Sequence, residues 1–137
     1  MTPLLTQLEN SPKPVIAAMH GTALGGGVEI AMACHYRIAA AETQIGMPEV
    51  TLGIIPGAGG TQRLPRLVGM AKAAEMIISA QFLKASDAHT AGLIDKVVNG
   101  DLLEQAVQFA TEVVAKGGPH PRVRDRSVAP DPAGLDA

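Results

Sequence analysis

Apolar residues in this chain fall into short runs, and the spacing within each run separates strands from helices. Val15-Ile16-Ala17-Ala18-Met19 lies between Pro14 and Gly21 and has the length of a buried strand. Val28 to Cys34 is apolar at almost every position, which marks an element buried all round, and its Ala and Met content favours helix. Tyr36-Arg37-Ile38-Ala39-Ala40 reads as a second strand and residues 93–98 as a third. Residues 70–80 have helical periodicity, with Ala73, Ala74, Ile77 and Ile78 assigned to one face. Residues 4–10 read as the last turns of a helix too short to stand alone. A short helix is expected over 61–67, interrupted near Pro65. Ser86 is expected to cap another through Thr90, stopped by Gly92. Asp101 opens a longer helix that runs to about Lys116.

Between these runs, residues 43–60 are dominated by Gly46, Pro48, Gly53, Pro56, Gly57, Gly59 and Gly60, and are expected to be loop. From Gly117 onward Pro, Gly, Arg and Asp replace the apolar periodicity, so 117–137 reads as a tail or linker. No internal repeat is present. Strands alternating with helices give an α/β fold class, and 137 residues allow one domain with a modest core.

Composition narrows the function. Apolar residues are 47 % and charged residues 18 %, the balance of a folded chain rather than a disordered one. Tyr36, Phe82 and Phe109 are the only aromatics and the net charge is −2, so neither stacking platform nor basic face exists for nucleic acid. Cys34 is the only cysteine, which excludes an intrachain disulfide. No apolar run approaches the roughly 18 residues of a membrane span. With neither a signal-peptide pattern nor a peroxisomal C-terminal tripeptide, the chain is expected to be soluble and cytoplasmic.

Chemistry concentrates in two places. Gly25-Gly26-Gly27 opens the buried helix, where unpaired backbone N–H groups and the positive end of the helix dipole meet no side chain. That arrangement suits an oxygen gaining negative charge; close strand–helix packing is the alternative reason for the glycines. Glu29 is the only charge between Lys13 and Arg37, and a carboxylate in an apolar helix is costly unless functional or paired, with Arg37 or Arg63 as candidate partners. Glu49 lies in the loop-rich stretch, where it is either functional or simply solvated. Residues 57–62 do not complete a dinucleotide fingerprint, and neither a P-loop nor a G-x-S-x-G elbow occurs. His20, His35, His89 and His120 show no metal-ligand spacing, and Cys34 reads as an inert buried thiol.

The run KPVIAAMHGTALGGGVEIAMAC over 13–34 resembles the signature of the enoyl-CoA hydratase/isomerase (crotonase) superfamily. QIGMPEVTLGIIPGAGGTQRLPRLVG over 44–69 resembles its second signature, and KASDAHTAGLIDKVV over 84–98 its approach to the closing helices. Residues 35–39 and 122–126 further resemble the hydratase part of multifunctional fatty-acid oxidation enzymes. The resemblance implies the C-terminal part of a crotonase-like ββα spiral, with 1–116 as a partial domain lacking its N-terminal half.

The same resemblance implies roles. Glu29 and Glu49 match the two catalytic carboxylates, Gly26 an oxyanion-hole N–H, and Gly57 a glycine that positions the catalytic water. The implied reaction adds water to a 2-trans-enoyl-CoA in fatty-acid β-oxidation, with the acyl-CoA thioester as substrate and neither cofactor nor metal. Two acids favour hydration over the alternative of enoyl-CoA isomerisation. A non-catalytic assembly module is the other alternative, using helices 70–80 and 101–116 to form a homo- or hetero-oligomer.

Overall fold

Two sharp turns deal successive strands of this chain into two different sheets. A computed structural model describes residues 2–130. Helix α1 (Thr2–Glu9) leads into β1 (Ile16–Met19) and β2 (Thr22–Leu24). Helix α2 (Gly26–Ala33) follows, then β3 (Tyr36–Ala40) and β4 (Gln44–Gly46). A 3-10 turn (Glu49–Leu52) precedes α3 (Gly60–Val68) and α4 (Met70–Ser79). The remainder is β5 (Leu83–Lys84), α5 (Ala85–Thr90), β6 (Lys96–Val98) and α6 (Leu102–Lys116). One sheet has the order β1-β3-β6 with both pairings parallel. The other has the order β2-β4-β5, with β2 and β4 parallel and β4 and β5 antiparallel. Each strand–turn–strand–helix passage thus contributes one strand to each sheet, the ββα pattern expected from the sequence. Gly21, at φ +63°, makes the first such turn, and its carbonyl accepts the Gln44 N–H at 2.8 Å.

The apolar core lies between the sheets and the helices and is built from Met32, Ile45, Met47, Leu64 and Met76 with several alanines. Its aliphatic character follows from the near-absence of aromatic residues.

Several expectations change. Strands β2 and β4 fall where turn and loop were expected; their pairing in register Thr22↔Gln44 to Leu24↔Gly46 supplies order that three residues lack alone. α3 runs through Pro65 instead of breaking there, because Leu64 and Pro65 are buried and packing outweighs one lost backbone donor. Ile78 is 74 % exposed, so the buried face of α4 is Ala73 and Met76. Ser86 lies inside α5, whose N-cap is Lys84.

Residues 117–130, expected as tail or linker, include a short 3-10 turn (Val123–Asp125) with Val123 fully buried. Arg122 Nη1 donates to Asn10 Oδ1 at 3.1 Å, and Arg124 Nη1 lies 3.6 Å from Glu9 Oε2. One valine, a hydrogen bond and an ion pair carry this docking, and none of them leaves a periodic pattern. Residues 131–137 of the expected tail lie outside the described residues.

Asp101 caps α6 as expected, its Oδ1 accepting the Glu104 N–H at 2.8 Å. Asp101→Ala is expected to cost about 1 kcal/mol in urea denaturation. An unchanged midpoint would show that α6 is held by packing alone.

Candidate active site

Parallel pairing of β2 with β4 brings two distant segments to one point. The register sets Leu24 beside Gly46, and the next residue, Gly25, donates its N–H to the Gly46 carbonyl at 3.0 Å. The chain leaving β2 therefore enters α2 alongside the chain leaving β4 for Met47-Pro48-Glu49. Gly25 has φ +49°, and a Cβ there would lie 3.1 Å from Glu49 Oε1. Only glycine satisfies both the backbone angle and the carboxylate pressed against it. Gly26 is the first residue of α2, a position that leaves its N–H without an intrahelical acceptor.

The Glu49 carboxylate is buried, and neither oxygen has a hydrogen-bond partner among the described residues. Such a group is costly to keep.

Glu29 sits one turn into α2, its N–H donating to the Gly25 carbonyl at 2.9 Å. It is 3 % exposed. Its Oε1 accepts the N–H groups of Ala58 and Gly60, each at 2.7 Å. No arginine pairs with it. Arg37 reaches Asp95 and the carbonyls of Leu93 and Cys34, while Arg63 reaches Glu9. Glu29 thus supplies the side-chain acceptor that α3 lacks locally, since its N-cap Gly59 has none. Gly60 must be bare here: a Cβ would lie 2.8 Å from Met47 Cε and 2.9 Å from Glu29 Oε1. Gly57 lies exposed in the turn before α3, beside the amides that hold Glu29 but not itself one of them.

Sequence reasoning missed those two amides and the support behind them. Glu9 is buried and accepts Arg63 Nε at 2.8 Å, and Arg63 Nη1 donates to the Ala58 carbonyl at 3.0 Å. Ala58 is therefore held at both ends, its N–H by Glu29 and its carbonyl by Arg63. The Gly-Ala-Gly-Gly run opening α3 is the available signal, by the same argument applied to residues 25–27.

The remaining candidates are structural. Cys34 is buried, its thiol pushed up by burial and only partly countered by Arg37. His20 and His89 are exposed. Among the described residues, no group of three or more His, Cys, Asp or Glu side chains is placed to hold a metal ion. No helix among them is long and apolar enough to cross a membrane.

His35 is buried, with Nδ1 accepting the Val15 N–H at 2.9 Å and Nε2 3.2 Å from the Glu9 carbonyl. An accepting Nδ1 makes Nε2 the donor and the ring neutral. Burial holds it below the usual histidine range, reinforced by His120 and Arg122 and opposed by Glu9. Below about pH 6.5 the unfolded chain then binds more protons than the folded one. Stability is expected to be full above that pH and to fall as pH drops beneath it. Urea midpoints between pH 7.5 and 5 (conditions of roughly neutral to mildly acidic range) should slope less in His35→Asn than in the parent. Equal slopes would remove His35 as the source.

The chain is similar to known proteins over most of its length. Residues 1–128 match the family described as Enoyl-CoA hydratase/isomerase. The chain is 46 % identical over 127 residues to the peroxisomal bifunctional enzyme of Cavia porcellus, covering 93 % of this chain and 18 % of that protein. It is 54 % identical over 107 residues to the peroxisomal fatty acid beta-oxidation multifunctional protein AIM1 of Arabidopsis thaliana, covering 77 % of this chain and 15 % of that one. Among solved structures, the enoyl-CoA hydratase from Bacillus anthracis superimposes with a TM-score of 0.80 at 46 % identity, covering 85 % of this chain and 45 % of that one. The chain thus spans less than a fifth of these two curated relatives and under half of the solved enzyme.

Proposed function

The chain belongs to the enoyl-CoA hydratase/isomerase family, and from that premise we propose that it carries the carboxylate pair that adds water to a 2-trans-enoyl-CoA, giving a 3-hydroxyacyl-CoA in fatty-acid β-oxidation. The supporting observation is the buried, unpartnered Glu49 carboxylate set against Gly25, one residue before the open N–H of Gly26.

In this reading the Gly26 N–H donates to the thioester oxygen as charge develops there. Glu29, with Oε1 committed to Ala58 and Gly60, is rigidly oriented and keeps its other oxygen for a water. Glu49 brings two uncommitted oxygens to the same helix start. One carboxyl group takes a proton from the water as its oxygen bonds to C3, and a proton is delivered to C2, so the elements of one water are added and the pair ends with its protons conserved. The two groups act as a coupled pair, and the apparent acid and base belong to both. Gly57 borders the water position from the turn before α3.

Hydration is favoured over double-bond migration because the chain carries two candidate carboxylates, Glu29 and Glu49, rather than one. The chain is also proposed to associate. Leu103, Val107 and Val114 expose 74 %, 58 % and 60 % of their surface along α6, an apolar stripe suited to another subunit. The cytoplasmic placement gains no support from the two curated relatives named above, whose names place them in peroxisomes.

The test is an assay of the purified chain with a short 2-trans-enoyl-CoA, following hydration and double-bond migration in parallel. Saturable formation of the 3-hydroxyacyl product supports the reading. A folded sample that only moves the double bond, or does neither, overturns it for this chain.

A further inference from the structure

Behind the loop that holds Glu29 lies a cavity of about 230 Å³ lined by Gly59, Gln62, Arg63, Arg66 and Arg124 with Ala58. No carboxylate among the described residues lines it. Glu9 approaches Arg63 and Arg124 from the side, and Asp125 is shared by Arg122 and Arg124. The three guanidinium groups of the cavity (Arg63, Arg66 and Arg124) thus meet two carboxylates among the described residues, leaving one positive charge in excess in this corner.

The hydrogen bonds are similarly in surplus. Arg66 has no ion-pair partner among the described residues, and its single bond is Nη1 to the Gln62 carbonyl at 2.6 Å. Arg63 uses Nε and Nη1 and has no bond from Nη2 among the described residues. Arg124 Nη2 donates to Asn10 Oδ1 at 2.5 Å, whereas its Nη1 stands 3.6 Å from Glu9, beyond a good hydrogen bond. Planar guanidiniums with spare N–H groups and excess charge match a tetrahedral oxyanion better than any neutral ligand. The amide groups of Ala58 and Gly60 are already taken by Glu29, so the arginines and not the helix dipole carry the attraction.

We infer that this arginine-lined cavity is a binding site for a phosphate group, either free or as a phosphomonoester. It stands apart from the proposed hydration chemistry, since its ligand would lie on the Arg63 side of Ala58 and the enoyl group on the Glu29 side. Ala58 joins the two sides, so its amide reports on occupancy.

The experiment titrates the full chain with inorganic phosphate, and separately with AMP, at constant ionic strength set by chloride. The readouts are the amide resonances of Ala58, Gly59 and Gln62 and the side-chain Nε–H of Arg63. Saturating shifts confined to these groups are expected, weakened about tenfold or more in Arg66→Gln, which removes one charge-assisted donor. Arg124→Gln, an exposed position, provides a second variant with the same expectation should Arg66→Gln fail to fold. Tighter binding of AMP than of phosphate assigns the site to esters, and equal or weaker binding assigns it to the free ion. Shifts that stay linear, or that are the same in a folded variant, overturn the site. Hydratase activity enters none of these readouts.

Discussion

Glu49→Gln is expected to lower kcat for enoyl-CoA hydration by about 10²–10⁴-fold while leaving the fold intact. Two features make it a clean probe. The carboxylate accepts no hydrogen bond among the described residues, so the amide removes none. The shape is kept, so the contact with Gly25 persists. The substitution also relieves a buried charge, and stability should hold or rise slightly. Paired measurement of kcat and of the urea midpoint decides the matter. A drop in activity below about tenfold would remove Glu49 from the proton-transfer step. A drop accompanied by a collapsed midpoint would make it a structural acid. Glu29→Gln is a poorer first experiment, because Glu29 Oε1 also holds the start of α3.

Arg37→Leu is expected to cost about 3–5 kcal/mol of stability. The Arg37 side chain is 1 % exposed and ties three segments together, α2, its own strand β3 and the approach to β6. Its Nε donates to the Leu93 carbonyl at 3.0 Å and its Nη1 to the Cys34 carbonyl at 2.9 Å. Asp95 accepts the Arg37 backbone N–H at 2.7 Å and lies 3.5 Å from Nη2. Leucine fills much of the volume but leaves these buried carbonyls without donors. Against a total of about 5–15 kcal/mol for a domain, that leaves a marginal protein. Asp95→Asn is the control: its side chain is one-third exposed and the carbonyl bonds of Arg37 remain, so the loss should be about 1 kcal/mol. Equal denaturation midpoints for the two variants would mean that the ion pair, not the carbonyl bonds, is what matters.

Where the sequence was legible, a local signal and the tertiary structure agreed. Tyr36–Ala40 is continuous, apolar apart from Arg37 and central in its sheet, and the strand has the expected limits. Asp101 and Glu104 form a local cap, so the start of α6 was readable. Strands of three residues at 22–24 and 44–46 were not readable, because each is defined by its partner. In the site, Glu29 stood out as a lone charge in an apolar helix, and the resemblance drew attention to Glu49. Its neighbours in the fold carried no such mark. The amides that hold Glu29 belong to Ala58 and Gly60, about thirty positions away in the chain. Glu9 meets Arg63 across 54 positions, and nothing in a short helix end announces that contact. Arg37, a candidate partner for Glu29 by sequence, instead joins α2, β3 and the approach to β6.

The order β1-β3-β6 also sets a timetable for synthesis. β3 meets β1 across 20 positions, Ile16↔Tyr36, but meets β6 only across 58, Ile38↔Lys96. Pairings so far apart in sequence close late and slow the search for the native state. As the chain emerges from a ribosome, the central strand waits with one edge bare until residue 98 is free of the exit tunnel. During that interval an apolar edge, Ile38-Ala39-Ala40, is open to the wrong partner. Slower translation between β3 and β6 would lengthen that exposure.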